Sequence, residues 1–200
     1  MDTALRIILP LYFLVYFGVA FVIKTLLVAR RTGTNPLVLP KDDSAYGLIG
    51  RYFKITLIAL FVYVLLYSFL PGMHNYFLSI TWLQNPIVQY AGLLLLVLAL
   101  VWTVVAQSHM RNSWRIGIDT ANKTELVTTG LFGVSRNPIF LGMILSLVGV
   151  FLATPNACTL LFLVVGYMLM QVQIRLEEEF LVREHGAEYV QYQKRVRRLI

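Results

Sequence analysis

Lys123-Thr-Glu-Leu-Val-Thr-Thr-Gly-Leu-Phe-Gly-Val-Ser-Arg-Asn-Pro-Ile-Phe140 sets polar side chains, two glycines and an Arg-Asn-Pro turn directly before an apolar helix. Pro138 suits the first turn of a helix, where its missing N–H costs nothing. The apolar run continues to Ala153, breaks only at Thr154-Pro-Asn156, resumes at Ala157 and enters Arg175-Leu-Glu-Glu-Glu179. Two polar clusters therefore flank one helical hairpin. They are expected to meet at one membrane face, in a pocket at the water boundary.

Composition agrees with that frame. Of 200 residues, 58% are hydrophobic and 14% charged, which describes a polytopic membrane protein and excludes an ordinary soluble domain. The expected architecture is an all-α integral membrane protein in one domain, residues 1–200. Residues 1–107 supply three helices, and 108–200 supply the catalytic half with two more. Apolar segments run over about Leu5 to Val28, Ile55 to Leu70, Ile87 to Ala106, Ile139 to Ala153 and Ala157 to Val172. A span needs roughly 20 residues, so the last two are short. The first has no small-residue cleavage site after it and is read as a retained helix. Gly142, Ser146, Gly149 and Ala153 recur at helical spacing and form a small-residue packing face.

The net charge of +7 comes from basic residues in membrane-flanking segments, so lipid, not nucleic acid, is the expected partner. Arg30, Arg31, Lys41, Arg51 and Lys54 fall in the first connector, Arg111, Arg115, Lys123 and Arg136 in the third, and Arg175, Arg183, Lys194, Arg195, Arg197 and Arg198 in the tail. The intervening connectors carry none, and Arg6 alone is assigned to the opposite side. The positive-inside rule then places the N-terminus outside, and the C-terminus and both polar clusters in the cytoplasm. The connector from Thr32 to Ser44, with Pro36 and Pro40, is irregular. Cys158 is the single cysteine, and His74, His109 and His185 lack metal-ligand spacing, so no disulfide and no metal site are expected.

Thr124-Glu-Leu-Val127, Gly130-Leu-Phe132, Arg136-Asn-Pro-Ile-Phe140, the short hairpin, Glu177-Glu178 and Gly186-Ala-Glu-Tyr189-Val-Gln-Tyr192 together resemble the isoprenylcysteine carboxyl methyltransferase family of integral membrane enzymes. The resemblance covers the chain from Trp114 onward. It implies methyl transfer from S-adenosyl-L-methionine to a lipophilic acceptor, and related membrane methyltransferases act on phosphatidylethanolamine. It also implies Arg136 and Arg175 as catalytic residues and Gln173 and Arg175 as acceptor contacts. The implied cofactor contacts are Thr124, Glu125, Leu126, Val127, Gly130, Phe132, Asn137, Pro138, Ile139, Phe140, Glu177 and Glu178. The family's usual Arg-His-Pro-x-Tyr is here Arg136-Asn137-Pro138-Ile139-Phe140, and Gln173 stands where eukaryotic members place an arginine.

The same residues suit the cofactor chemically. First-turn amides at Pro138 can receive a carboxylate, and Glu177 or Glu178 can accept from an ammonium or ribose hydroxyls. Leu126, Val127, Phe132, Ile139 and Phe140 can wall an adenine. Each has a plainer role as well. Arg136 can anchor at headgroups, Glu177 to Glu179 can be a solvated helix face, and Trp114, Tyr189 and Tyr192 read as interfacial aromatics. The stretch from Gly186 to Ile200 reads as a basic, aromatic surface helix that anchors at the membrane or closes over the pocket. Besides a prenylcysteine-type carboxylate, a lipid amine is an alternative acceptor. An NADPH-dependent membrane reductase and a non-enzymatic membrane subunit are alternatives of other classes.

Overall fold

The computed structural model describes residues 2–38, 43–117 and 125–200. Lys123, Thr124, Pro40 and Lys41 lie outside them. The chain forms α1 (Asp2–Phe17), a π-helical stretch (Gly18–Ile23), α2 (Lys24–Thr32), β1 (Leu37–Val38), α3 (Ala45–Phe69), α4 (Pro86–Met110), β2 (Ile116–Gly117), α5 (Pro138–Ala153), α6 (Ala157–His185) and α7 (Ala187–Arg195). Among the described residues the departures from an all-helical fold are small: β1 pairs with β2, two residues each and parallel, and isolated bridges join Ser79 to Asn156 and Ser135 to Arg197. The β1–β2 pairing ties the first connector to the third.

Among the described residues four stretches are long and apolar enough to cross a membrane: Thr3–Thr32, Ala45–Phe69, Pro86–Ser113 and Ala157–His185. Only 22–28% of each apolar window is buried within the protein. The remaining apolar faces need lipid to cover them, which makes this a multi-pass membrane fold. The fifth expected span, α5, has 16 residues. At about 1.5 Å per residue it falls short of a hydrocarbon core of roughly 30 Å. Its partner α6, also expected to be short, has 29 residues. The apolar run stops at Val172 but the helix does not, because buried Met170 and Ile174 continue as a stripe into Glu178. A count of apolar residues misses a helix whose end is polar and still packed.

Capping explains where these helices start. Asn85 Oδ1 accepts from Val88 N at 3.0 Å ahead of Pro86. Ser44 Oγ accepts from Gly47 N at 3.2 Å. Asn156 and Thr159 form a reciprocal capping box, with Thr159 N donating to Asn156 Oδ1 at 3.0 Å. Asn156 also donates through Nδ2 to Tyr63 Oη at 2.8 Å, pinning the hairpin turn to α3. The turn is held against the connector after α3 as well, by Ile80 N to Pro155 O at 3.0 Å and Ala157 N to Leu78 O at 3.1 Å. Consequently the starts of α3 and α5 and the ends of α4 and α6 share the opposite face.

The core gathers Leu5, Leu9 and Phe13 of α1, Leu60, Tyr63, Val64 and Tyr67 of α3, Leu96 of α4, and Val150 and Ala153 of α5. The small-residue face of α5 lies on α4. A Cβ on Gly149 would meet the Leu96 side chain at 2.9 Å, and one on Gly142 would strike Thr103 Oγ1. Ser146 faces α1 instead, where its hydroxyl bonds that of Tyr12 at 2.9 Å. On α4, a Cβ at Gly92 would lie 2.5 Å from Ala153 N and 2.8 Å from Gly149 O, backbone atoms that cannot yield. Gly92→Ala is therefore expected to destabilise the protein by about 1–3 kcal/mol. Gly50→Ala, which meets nothing within 4 Å, serves as the control. Thermal unfolding in detergent checks this, and equal midpoints for the two variants would refute the close α4–α5 contact.

Candidate functional site

Arg136 and Asn137 sit at the start of α5, and Glu178 sits near the far end of α6. Helix packing brings them together. Glu178 Oε1 accepts from Arg136 Nε at 3.0 Å and Nη2 at 2.9 Å, and from Asn137 Nδ2 at 3.2 Å. Oε2 accepts from Arg198 Nε at 3.0 Å and Nη2 at 2.8 Å. Glu178 is only 4% exposed. Charge-assisted, forked geometry of this kind is what a carboxylate needs to remain ionised out of water.

The tail completes the cluster. Arg136 N donates to Arg197 O at 2.9 Å, and the Arg136 guanidinium donates to the carbonyls of Gln193 and Val196. Asn137 Nδ2 also reaches Arg198 O at 3.1 Å. The outward face of α7 is polar and its inner face carries Tyr189 and Tyr192, which are 1% and 2% exposed. Tyr192 Oη donates to Phe132 O at 2.6 Å. Burial pushes the Tyr192 phenol up to about 12, with Arg136 pulling it down and Glu178 pushing it further up. Burial likewise raises Tyr189. Both phenols stay protonated at neutral pH, so the Tyr192 donor is permanent.

Tyr189, Tyr192 and Trp114, expected as interfacial aromatics, are thus buried against protein. They are hydrophobic anchors of the tail and connectors, and single-residue patterns cannot distinguish that from a membrane belt. The surface helix expected after Gly186 is present as α7 and closes onto the Phe132 and Arg136 turns.

Among the expected cofactor residues, Phe132, Asn137, Pro138 and Glu178 are buried, while Leu126, Val127, Ile139 and Phe140 are half-buried. Glu125 is exposed, and Thr124 lies outside the described residues. Gly130 has φ +64°, and a Cβ there would lie 2.6 Å from the His109 imidazole. His109 Nδ1 accepts from Leu131 N at 3.2 Å, so this histidine sets the turn, a role no sequence pattern indicated. Glu177 is half-buried and held apart from the cluster, accepting from Gln173 Nε2 at 2.8 Å. Its other oxygen meets no donor among the described residues. Arg175 is exposed and donates to Gln171 O at 2.7 Å and Gln171 Oε1 at 3.0 Å, away from Glu178. Arg198, Ser135 and Gln193 join the cluster without having been singled out. The run of arginines in the tail was the available signal, and it does not say which one turns inward.

The groups present fit S-adenosyl-L-methionine in kind. Glu177 offers a half-buried carboxylate with one donor, Gln173, among the described residues, the first-turn amides of Ile139 and Phe140 offer donors, and Leu126, Val127 and Phe140 offer apolar walls. Among the described residues no cluster of His, Cys, Asp and Glu could hold a metal ion.

Glu178→Gln removes the charge that two guanidiniums share and leaves Arg136, with a side chain 9% exposed, unpaired. Loss of about 3–5 kcal/mol of local stability is expected. It is read as faster amide hydrogen exchange across residues 187–198. Tyr192→Phe should give a smaller effect, about 1 kcal/mol. Unchanged exchange in both variants would mean the tail is held by other contacts.

The sequence model of a family described as phospholipid methyltransferase matches residues 87–188, from the first turn of α4 into α7. Protein-S-isoprenylcysteine O-methyltransferase of Saccharomyces cerevisiae is 30% identical over 108 residues, 52% of this chain and 45% of that protein. Protein-S-isoprenylcysteine O-methyltransferase B of Arabidopsis thaliana is 27% identical over 154 residues, covering 74% of this chain and 73% of that protein. The match thus spans less than half of the yeast relative's length.

Proposed function

The chain belongs to the phospholipid methyltransferase family, and from that premise we propose that it transfers a methyl group from S-adenosyl-L-methionine to a lipophilic acceptor, an isoprenylcysteine-type carboxylate. The observation that carries this is the family match across residues 87–188, which takes in the turns and both glutamates of the site. The relatives named for isoprenylcysteine O-methylation favour the carboxylate acceptor. The family's description favours a lipid amine as the second reading. A carboxylate acceptor needs no general base, whereas an amine must first lose a proton.

The cofactor supplies an electrophilic methyl group. Glu177 accepts from its ammonium or ribose, the α5 first-turn amides receive its carboxylate, and Leu126, Val127 and Phe140 enclose its adenine. Arg136, tied to Glu178 and to the tail carbonyls, holds the α5 start in place. Gln173 contacts the acceptor at the membrane edge. In-line displacement gains chiefly from such positioning. Lipid enters sideways between helices. An apolar cavity of about 70 Å³ bordered by Tyr12, Phe17, Leu57, Met143, Leu147 and Met170 offers space inside the bundle. The basic residues gathered on the Arg136 face support a cytoplasmic site with the N-terminus outside.

Calorimetry with S-adenosylhomocysteine, with NADPH in parallel, tests the proposal on purified protein in detergent. The homocysteine ligand should bind and NADPH should not. Glu177→Gln should weaken binding about tenfold, a loss of about 1.4 kcal/mol, and Asn137→Ala should weaken it too. Glu177 is the sharper probe because it takes no part in the Glu178 clamp. Binding of NADPH in place of the homocysteine ligand would overturn the proposal. Mass analysis of methylated prenylcysteine against methylated lipid amine separates the two acceptors.

A further inference from the structure

Beside the Glu178 clamp a groove of about 470 Å³ runs between α6 and the tail, bordered by the charged heads of Arg175, Glu178, Glu179, Arg183 and Arg198 and by Val182 and Gln193. None of the groups proposed above to hold cofactor or acceptor borders this groove. Three guanidiniums border it from two elements. Each keeps N–H groups that no acceptor among the described residues takes. Arg175 commits Nη1 to Gln171, Arg183 commits Nη2 to Tyr46 Oη at 3.4 Å, and Arg198 commits Nε and Nη2 to Glu178. A guanidinium has five donors, so the remainder face the groove or water.

Charge and height select the ligand. Glu178 is neutralised within the clamp, and Glu179 has no ion pair among the described residues. The lining therefore carries a net charge of one positive. That balance suits a singly charged oxyanion better than a doubly charged one. Arg175 follows the last residue of the apolar run, Val172, by three positions. At about 1.5 Å per residue it stands just beyond the hydrocarbon, at the depth of lipid phosphates. Guanidiniums match phosphate oxygens in a two-pronged fashion, and basic pockets beside membrane helices take lipid headgroups.

We propose that this groove binds the phosphodiester of a singly anionic phospholipid from the adjoining leaflet, with Arg175 as the principal contact and with Arg183, about two helical turns further from the hydrocarbon, and Arg198 adding positive charge on the water side. The site is independent of methyl transfer. A lipid seated there lies against the outer face of Arg198 and caps the tail in its docked position.

Native mass spectrometry of the purified protein, offered phosphatidylglycerol and phosphatidylcholine in equal amounts, tests this. Phosphatidylglycerol should be retained at least fivefold over phosphatidylcholine. Arg175→Gln with Arg183→Gln should bring the ratio to within twofold. Both side chains are exposed, and an unchanged thermal midpoint in lipid-free detergent verifies that the variant folds. Arg175→Lys with Arg183→Lys should retain part of the preference, since charge is kept and the fork is lost. Equal retention of the two lipids, or an unaltered preference in the double glutamine variant, would overturn the proposal. Displacement of phosphatidylglycerol by low-millimolar inorganic phosphate would also overturn it, making the groove a site for soluble phosphate.

Discussion

A single buried carboxylate organises the functional face. Glu178 continues the buried stripe of Met170 and Ile174 on α6, so helix geometry carries it inward whatever its charge. An ionised carboxylate in that position costs several kcal/mol unless it is met by opposite charge and by hydrogen bonds. Arg136 and Asn137 arrive from the start of α5, and Arg198 arrives from the tail. Their convergence is therefore obligatory. Withdrawing Glu178 leaves Arg136 and Asn137 without their carboxylate partner in a desolvated site. The docking of the tail follows from satisfying that charge.

The bilayer fixes where this convergence can occur. Lipid offers no hydrogen bonds, so every irregularity within the spans must find a partner inside the protein. The π-helical stretch shifts the backbone register of the first span, and Gln107 Nε2 donates to the Ala20 carbonyl there at 2.8 Å. Close approach of α4 and α5 through Gly92, Gly142 and Gly149 supplies the packing that hydrophobicity cannot supply in a hydrocarbon solvent. Together these contacts set the height of α5. A short α5 whose turn is anchored by Asn156 and Tyr63 presents Arg136 at the level that α6, being long, reaches with Glu178.

Apolar runs and helix caps made much of this legible beforehand. Pro138 and Thr154-Pro-Asn156 mark helix boundaries in the sequence and in the structure alike, and the meeting of the Arg136 and Glu178 clusters follows from the hairpin they flank. What was not legible depends on direction more than on position. Whether Tyr189 faces lipid or protein, and which arginine among 195, 197 and 198 turns inward, depends on how α7 packs. The length of α6 was hidden for a related reason: its polar end stays helical because one side of it is buried.

Glu177 and Glu178 show how adjacent residues divide their roles. Neighbours on a helix point about 100° apart, so Glu178 enters the clamp while Glu177 has, among the described residues, one donor, Gln173. The pair is one motif in sequence and two environments in space. The same logic accounts for Asn137, which stands where the resembling family has histidine. Its amide nitrogen carries two hydrogens and serves Glu178 Oε1 and the Arg198 carbonyl together. A neutral imidazole has one N–H and could serve only one of them; serving both would require a further positive charge beside two guanidiniums. The amide meets both acceptors with no added charge, and it leaves the clamp without a group that titrates near neutral pH.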